Sequence, residues 1–345
     1  MARRTGVSRG RAEASRTALA QIIDGELERA VPEAVAAFAS LLAERGGPGV
    51  AGVLFYGSAL RDDALDGVLD FYVLTDRSGD WPGPAWVAMA GRLLPPNVGY
   101  LERSLAVGPA KRTVRAKFAV MTLAQFARGT SAASMDTTLW ARFSQPCVRV
   151  HCRSDADASA IRDAVVQAVV TASRWAAVLG PPSGTAADYW RALYKATYSI
   201  ELRVEHSSRG VDLVSRHLGR YATSLPLAWD VAGVASCVSH PGAGHAGAQS
   251  AEGGSIATTL EPTISPQSRR RALRRWALRA RLGKPLNLLR LMKAALTFDN
   301  AVDYVAWKIE RHSGYRIDPT PFQRRHPLLA APALYWRLRS RKVLR

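Results

Sequence analysis

The chain changes its hydrophobic period near residue 50, and this change constrains the fold more than any other feature. Before it, apolar residues recur at helical spacing over 14–46 until a Gly-Gly-Pro sequence stops the pattern. After it, Val50–Tyr56 and 68–74 are short runs rich in β-branched and aromatic residues, which is typical of strands. Their connection contains Gly57 and Ser58. The sequence therefore predicts a helix followed by two neighbouring strands.

Later segments extend both kinds of structure. We predict further strands at 114–121 and 148–152, and helices at 86–94, 161–179, 187–204, 269–281, 286–298 and 301–311. The predicted strands lie before residue 155 and most helices after it. This order favours an α+β fold, in which a mixed sheet with flanking helices is followed by a helical domain.

The charge balance indicates an anionic partner. Lys and Arg number 47 against 28 Asp and Glu, which gives a formal net charge of +19. Such a charge attracts nucleic acid, nucleotides or an acidic membrane surface, and composition leaves all three open. No run approaches about 18 apolar residues, so we expect any membrane contact to be peripheral.

Cysteine usage bears on the compartment. Three irregularly spaced cysteines cannot form a disulfide framework, which favours a reducing environment. We therefore expect a cytoplasmic protein that associates with the inner face of a membrane. The Ala/Arg-rich composition favours a bacterial source.

Gly57, Ser58 and Asp70 form a pattern that suits phosphate chemistry. Glycine lets the backbone approach a triphosphate closely, and a serine hydroxyl donates a hydrogen bond to a phosphate oxygen. A carboxylate on the adjacent strand, here Asp70, holds Mg²⁺. The alternative interpretation is a plain turn followed by an acid at a strand edge. A strand running into Gly-Ser, with an acid opening the next strand, resembles the signature of the polymerase-β-like nucleotidyltransferase superfamily.

The position two residues after Asp70 narrows this resemblance. Most of the superfamily has a second acid there, whereas this chain has Tyr72. Tyr-Gly-Ser followed by Asp-Phe resembles the mitochondrial translocator assembly and maintenance family, whose members are CDP-diacylglycerol synthases (phosphatidate cytidylyltransferases). Further segments resemble parts of that family in the same order, namely a loop at 97–102, a strand at 116–120, a Trp-containing segment at 140–146 and a helix at 197–203.

The resemblance implies a reaction and a set of roles. CTP and phosphatidic acid would react to give CDP-diacylglycerol and pyrophosphate, with Mg²⁺ as cofactor. The implied nucleotide-binding residues are Gly57, Ser58, Lys117 and Arg203, and the implied catalytic acids are Asp70, which also binds Mg²⁺, and Glu201. Ala119 and Ile200 replace glycines of the family, which bears on substrate fit more than on fold.

Several alternatives stay open. Asp62, Asp63 and Asp66 are either a second source of metal carboxylates or a solvated acidic turn. Lys117 has a second interpretation as a solvated strand lysine. The acceptor is alternatively RNA, a protein or a small molecule. Tyr72 keeps open a catalytically silent scaffold that binds lipid or nucleic acid through its charge.

The C-terminal region carries basic residues interleaved with Trp and Leu. We predict that Arg271, Arg275, Trp276 and Trp336 contact an anionic membrane surface, where each nearby cation contributes about 1 kcal/mol. Nucleic-acid binding and a solvated basic face are the alternatives.

These assignments divide the chain into five segments. They are a basic N-terminal tail (1–13), a nucleotidyltransferase domain (14–154), a helical domain (155–239), a flexible Gly/Pro/Ser loop (240–268) and a basic helical C-terminal region (269–345) suited to membrane-surface contact.

Overall fold

The chain forms two compact units. A computed structural model describes residues 2–57, 60, 67–107, 110–200, 213–239, 258–298, 300–313 and 318–325. The helical unit comprises Met1–Leu27, Phe126–Pro146 and Ser159–Asn287, and the sheet unit comprises Glu28–Gln125, Cys147–Ala158 and Leu288–Arg345. The predicted α+β class is confirmed, and the five-segment division stays a prediction.

A five-stranded mixed sheet is the centre of the sheet unit. Its strands are β1 (Val50–Tyr56), β2 (Val68–Thr75), β3 (Asn97–Val107), β4 (Ala110–Thr122) and β5 (Val148–Cys152). The strand order is β3-β4-β2-β1-β5. β2 and β4 run parallel, while β1 pairs antiparallel with β2 and β5, and β3 pairs antiparallel with β4. The strands predicted at β1, β2, β4 and β5 are confirmed.

One face of this sheet packs against helix α2 (Glu33–Gly46). The Phe71 ring lies 6.3 Å from that of Phe38 and 5.3 Å from that of Phe55, and all three side chains are fully buried. Burying a side chain of this size contributes about 1.5–3 kcal/mol. Because successive strand residues point to opposite faces, the neighbours of these phenylalanines, among them Tyr56 and Asp70, lie on the other face.

The described chain also contains further α-helices and a small sheet. The helices are α1 (Ala2–Leu27), α3 (Ala85–Leu93), α4 (Leu123–Thr130), α5 (Thr138–Phe143), α6 (Asp155–Leu179), α7 (Ala186–Ile200), α8 (Leu218–Ala232), α9 (Pro266–Thr297), α10 (Ala301–Ser313) and α11 (Pro321–Arg325). β6 (Ser236–Ser239) and β7 (Thr259–Pro262) pair antiparallel. None of the described helices is long and apolar enough to cross a membrane.

A buried charge pair joins α1 to α8 within the helical unit. Arg220 donates from Nε and Nη2 to the two carboxylate oxygens of Glu26, at 2.5 and 3.1 Å. Its Nη1 donates to the Ser144 carbonyl at 2.8 Å. The Arg220 side chain is only 9% exposed, so Glu26 compensates a guanidinium that has little access to water.

Several predicted element boundaries are wrong. The helix predicted over 14–46 is two helices, because Pro32 has no N–H to donate and disfavours helical geometry in the residue before it. α1 also includes residues 2–13, predicted as a tail, where Ala and Arg favour the helix. The helices predicted at 269–281 and 286–298 are one helix, which continues through Pro285.

Two predicted loops contain strands. β3 occupies 97–107, where the resemblance suggested a loop over 97–102. β7 and the first residues of α9 lie within the predicted flexible segment 240–268, of which 240–257 is outside the described residues.

Candidate functional site

Four strands each place one residue in a row across the face of the sheet opposite α2. The strand register pairs Tyr56 with Asp70, Asp70 with Lys117, and Lys117 with Tyr100. Neighbouring strands lie roughly 4.8 Å apart, so the opposite charges of Asp70 and Lys117 are side by side. We call these four residues the Asp70 row. It brings together two of the residues that the sequence proposed for nucleotide chemistry.

The backbone at Gly57 comes close to the Asp70 carboxylate. Gly57 directly follows β1 and has φ +98°. A Cβ atom at this position would lie 3.0 Å from Asp70 Oδ2, which is closer than such atoms normally approach. The turn therefore needs glycine for its backbone conformation and for the space beside Asp70. Ser58, the next residue of the predicted motif, lies outside the described residues.

Tyr304 of α10 lies beside the row. Its ring centroid is 5.4 Å from that of Tyr100 and 6.0 Å from Lys117 Nζ. Burial raises the pKa of the Tyr304 hydroxyl, and the negative charge of Asp70 raises it further. Both effects keep the phenol protonated, so Tyr304 is a neutral hydrogen-bonding group near Asp70 and Lys117.

A buried tyrosine occupies the position where the superfamily usually has a second acid. Tyr72, two residues after Asp70, is 1% exposed, and its ring lies 5.3 Å from that of Tyr56. In the described part of the chain, no group of three or more His, Cys, Asp or Glu is arranged to hold a metal ion.

Asp70 can nevertheless contribute to a magnesium site. Mg²⁺ keeps several waters and typically takes one or two carboxylates together with the phosphates of a substrate. Asp70 supplies one half-buried carboxylate beside Gly57, which is the smallest number of carboxylates typical of such a site. The residues fit an ion that arrives with a nucleotide better than an ion held by protein ligands alone. Asp62, Asp63 and Asp66 lie outside the described residues.

A cavity of about 650 Å³ begins at Tyr100 and continues along β3, β4 and α10. Its lining includes Glu102, Arg115 and Trp307. Arg115 Nη2 donates to Glu102 Oε1 at 3.2 Å, and its guanidinium lies 5.7 Å from the Trp307 ring centroid. Its Nε is buried and has no acceptor among the described residues. The cavity has the size of a small-molecule site and is lined by charged side chains.

Tyr100 belongs to both the Asp70 row and this cavity. Its hydroxyl donates to Glu102 Oε2 at 3.1 Å. Burial raises the pKa of Tyr100 strongly, and the nearby Glu102 carboxylate adds to the shift. Tyr100 is thus protonated at any physiological pH and keeps Glu102 in place.

The other proposed site residues either lie outside the described residues or belong to α9. Glu201, Arg203 and Trp336 lie outside the described residues. Arg271 and Arg275 are exposed on α9 of the helical unit. Trp276 is half-buried, and its ring lies 5.1 Å from Trp175 and 6.4 Å from Trp140. Their membrane-surface role stays a prediction.

Sequence reasoning missed Tyr100, Arg115, Tyr304 and Trp307 as candidate site residues. Arg115 and Lys117 alternate along β4, so a strand reading of that segment puts both on one face. Tyr304 and Trp307 are three residues apart on α10 and therefore share a helix face. The local sequence of α10 does not predict that this helix face lies against β3 and β4.

Neither a scan against protein-family models nor a search of the curated proteins found a match to this chain.

Proposed function

We propose that the chain is a nucleotidyltransferase, and specifically a phosphatidate cytidylyltransferase. The observation that carries the proposal is the Asp70 row with the Gly57 backbone beside it. A carboxylate, a lysine and a closely approaching glycine backbone at one place are suited to binding a nucleoside triphosphate. The choice of CTP and phosphatidic acid rests on the resemblance of 53–74 and the later segments to the CDP-diacylglycerol synthase family.

The proposed reaction transfers a cytidylyl group. A phosphate oxygen of phosphatidic acid attacks the α-phosphorus of CTP, the bond from that phosphorus to the bridging oxygen breaks, and pyrophosphate leaves. Mg²⁺, when bound, would draw charge away from the phosphate oxygens. Asp70 would hold this ion, Lys117 would neutralise a phosphate oxygen, and Gly57 would let the triphosphate approach the backbone.

The cavity next to Tyr100 supports a nucleotide as the ligand. Its volume of about 650 Å³ suits a small molecule. The partly exposed guanidinium of Arg115 offers hydrogen bonds to a phosphate, ribose or base oxygen. Four acidic residues and three arginines make the lining polar rather than lipid-like.

The basic helix α9 supports a lipid acceptor and peripheral membrane contact. Leu273, Leu278 and Leu282 are each more than 40% exposed on this helix, and arginines lie between them. Exposed leucines among cations are typical of helices that bind an anionic membrane surface. The proposal places the protein in a bacterial cytoplasm, on the inner face of the membrane.

One observation favours a second candidate function. Tyr72 stands where a second metal-binding acid is usual, and it is buried. If Asp70 is the one carboxylate at this place, as it is among the described residues, the chain can bind a nucleotide without turning it over. The second candidate is therefore a non-catalytic protein that binds lipid or nucleic acid.

Pyrophosphate release tests these candidates. Purified protein is incubated with Mg²⁺ and each of the four ribonucleoside triphosphates, with and without phosphatidic acid vesicles. We expect release that requires both CTP and the lipid. Release without lipid would assign a different acceptor, such as RNA, a protein or a small molecule. No release under any condition would leave the non-catalytic candidate.

A further inference from the structure

A second cavity lies within the helical unit. It has a volume of about 560 Å³ and is lined by α6, the segment after α8, residues 263–265 and the first turns of α9. None of Gly57, Asp70 and Lys117 lines it. A ligand bound there would therefore be held by residues that have no part in the proposed nucleotide chemistry.

Four arginines line this cavity. Arg174 comes from α6, and Arg271, Arg275 and Arg279 follow one another at intervals of four residues on α9, so they share a helix face. No acidic residue is among the described residues that line the cavity. Arg174, Arg271 and Arg275 form no ion pair within the part of the chain that the structure describes. Among the described residues, the cavity therefore has a concentrated positive charge without a counter-ion.

Arg279 fixes one of these charges in the cavity wall. It is 5% exposed, and it donates from Nε and Nη2 to the Ser134 carbonyl at 3.1 and 2.9 Å. Its guanidinium lies 4.7 Å from the Trp175 ring centroid. Burial lowers the pKa of Arg279, and the charge of Arg275 lowers it further. An anion in the cavity would relieve this repulsion between neighbouring cations.

The remaining lining combines hydroxyl groups with apolar side chains. Hydroxyl groups come from Ser265 and Ser268, whose oxygens lie 2.9 Å apart. Val178, Ile264 and Ala272 provide apolar surface. A ligand that matches this lining has an anionic end and an apolar body.

We propose that this cavity binds a phosphate monoester carried on an apolar body, with Arg174, Arg271 and Arg275 as its ligands. A phosphate monoester offers three oxygens and up to two negative charges, which suits several guanidinium groups better than a single carboxylate does. The same chemistry occurs in a lipid headgroup and in a soluble phosphate ester. The exposed leucines of α9 favour the lipid source. This site goes beyond the proposed function, because it anchors a ligand without taking part in transfer.

Paired charge-removing variants test the proposal on the intact chain. The pocket variant is Arg174→Gln with Arg275→Gln. The matched control is Arg270→Gln with Arg274→Gln, which removes the same charge from exposed residues of α9 that do not line the cavity. Thermal unfolding is measured in inorganic phosphate and in chloride at equal ionic strength. Phosphate is expected to raise the unfolding midpoint of the wild type and of the control, but not of the pocket variant. An equal rise in all three, or no rise in any, would overturn the proposal.

Vesicle binding then separates the two sources of phosphate. Vesicles of phosphatidylcholine contain either phosphatidic acid, a monoester, or phosphatidylglycerol, a diester, at equal surface charge. A lipid source predicts that the wild type binds the monoester vesicles about tenfold more tightly and that only the pocket variant loses this preference. If phosphate stabilises the wild type but no monoester preference appears, the ligand is a soluble phosphate ester. If the pocket variant and the control lose vesicle binding and phosphate stabilisation equally, the protein attracts anions through its overall charge. That result would contradict a specific site.

Discussion

Replacing Gly57 with alanine tests how the turn after β1 positions Asp70. Gly57 has φ +98°, a region where an L-residue costs about 1–2 kcal/mol. The new methyl group would also lie 3.0 Å from Asp70 Oδ2. The two effects together predict a loss of about 1–3 kcal/mol in the free energy of unfolding. Relief of the close contact would move the carboxylate, so nucleotide binding should weaken as well.

Gly67→Ala is the matched control for this prediction. Gly67 lies at the other end of the same connection, and a Cβ atom there would have no neighbour within 4 Å. Its φ is not in the left-handed region, so alanine is expected to be neutral or slightly stabilising. Urea unfolding followed by far-ultraviolet circular dichroism compares both variants with the wild type. If Gly57→Ala is no more destabilising than Gly67→Ala, the argument from backbone conformation and space at Gly57 is refuted.

Two other predictions concern buried charges. Glu26→Gln leaves the Arg220 guanidinium without its counter-ion, so we expect the free energy of unfolding, measured in urea, to fall by about 3–5 kcal/mol. The double variant Glu26→Gln with Arg220→Met should lose less, because the unpaired charge is then absent. Equal losses in the single and double variants would contradict an unpaired charge as the cause. Lys293 donates to the carbonyls of Leu94 and Pro96, and burial, with the charge of Arg290 adding to it, lowers its pKa to about 8. In the unfolded chain the pKa of Lys293 is about 10.4, so between about pH 8 and pH 10.4 the unfolded state binds more protons than the folded state. The free energy of unfolding of the wild type, relative to that of Lys293→Met, should therefore rise with pH over this range. A flat or falling difference would contradict this prediction.

The sequence predicted β1, β2 and β5 because these strands are rich in β-branched or aromatic residues. β1 and β5 occupy the predicted residues, and β2 extends the predicted 68–74 by one residue. β3 was missed because of its polar residues, whereas β5, at the opposite edge of the sheet, was predicted. Asn97, Glu102 and Arg103 gave it the composition of a loop.

Long-range packing accounts for what the sequence could not predict at the site. Asp70 and Lys117 were proposed from their local motifs, and the strand register places them side by side. Tyr304 is more than 180 residues from either. The packing of α10 brings Tyr304 beside the Asp70 row, and the local sequence does not predict this packing. The Arg220–Glu26 pair, 194 residues apart, is a similar case.

The most direct test of the proposed function is transfer of label from α-phosphate-labelled CTP into lipid by the wild type and by Asp70→Asn. Asp76→Asn is the control, because it removes an exposed carboxylate at the end of the same strand, where Asp76 pairs with Arg153. With Mg²⁺ and phosphatidic acid vesicles, the wild type and Asp76→Asn should form labelled CDP-diacylglycerol. Asp70→Asn should lose at least about 10²-fold of the rate, with unchanged circular dichroism. Full activity of Asp70→Asn would contradict the role of the Asp70 row.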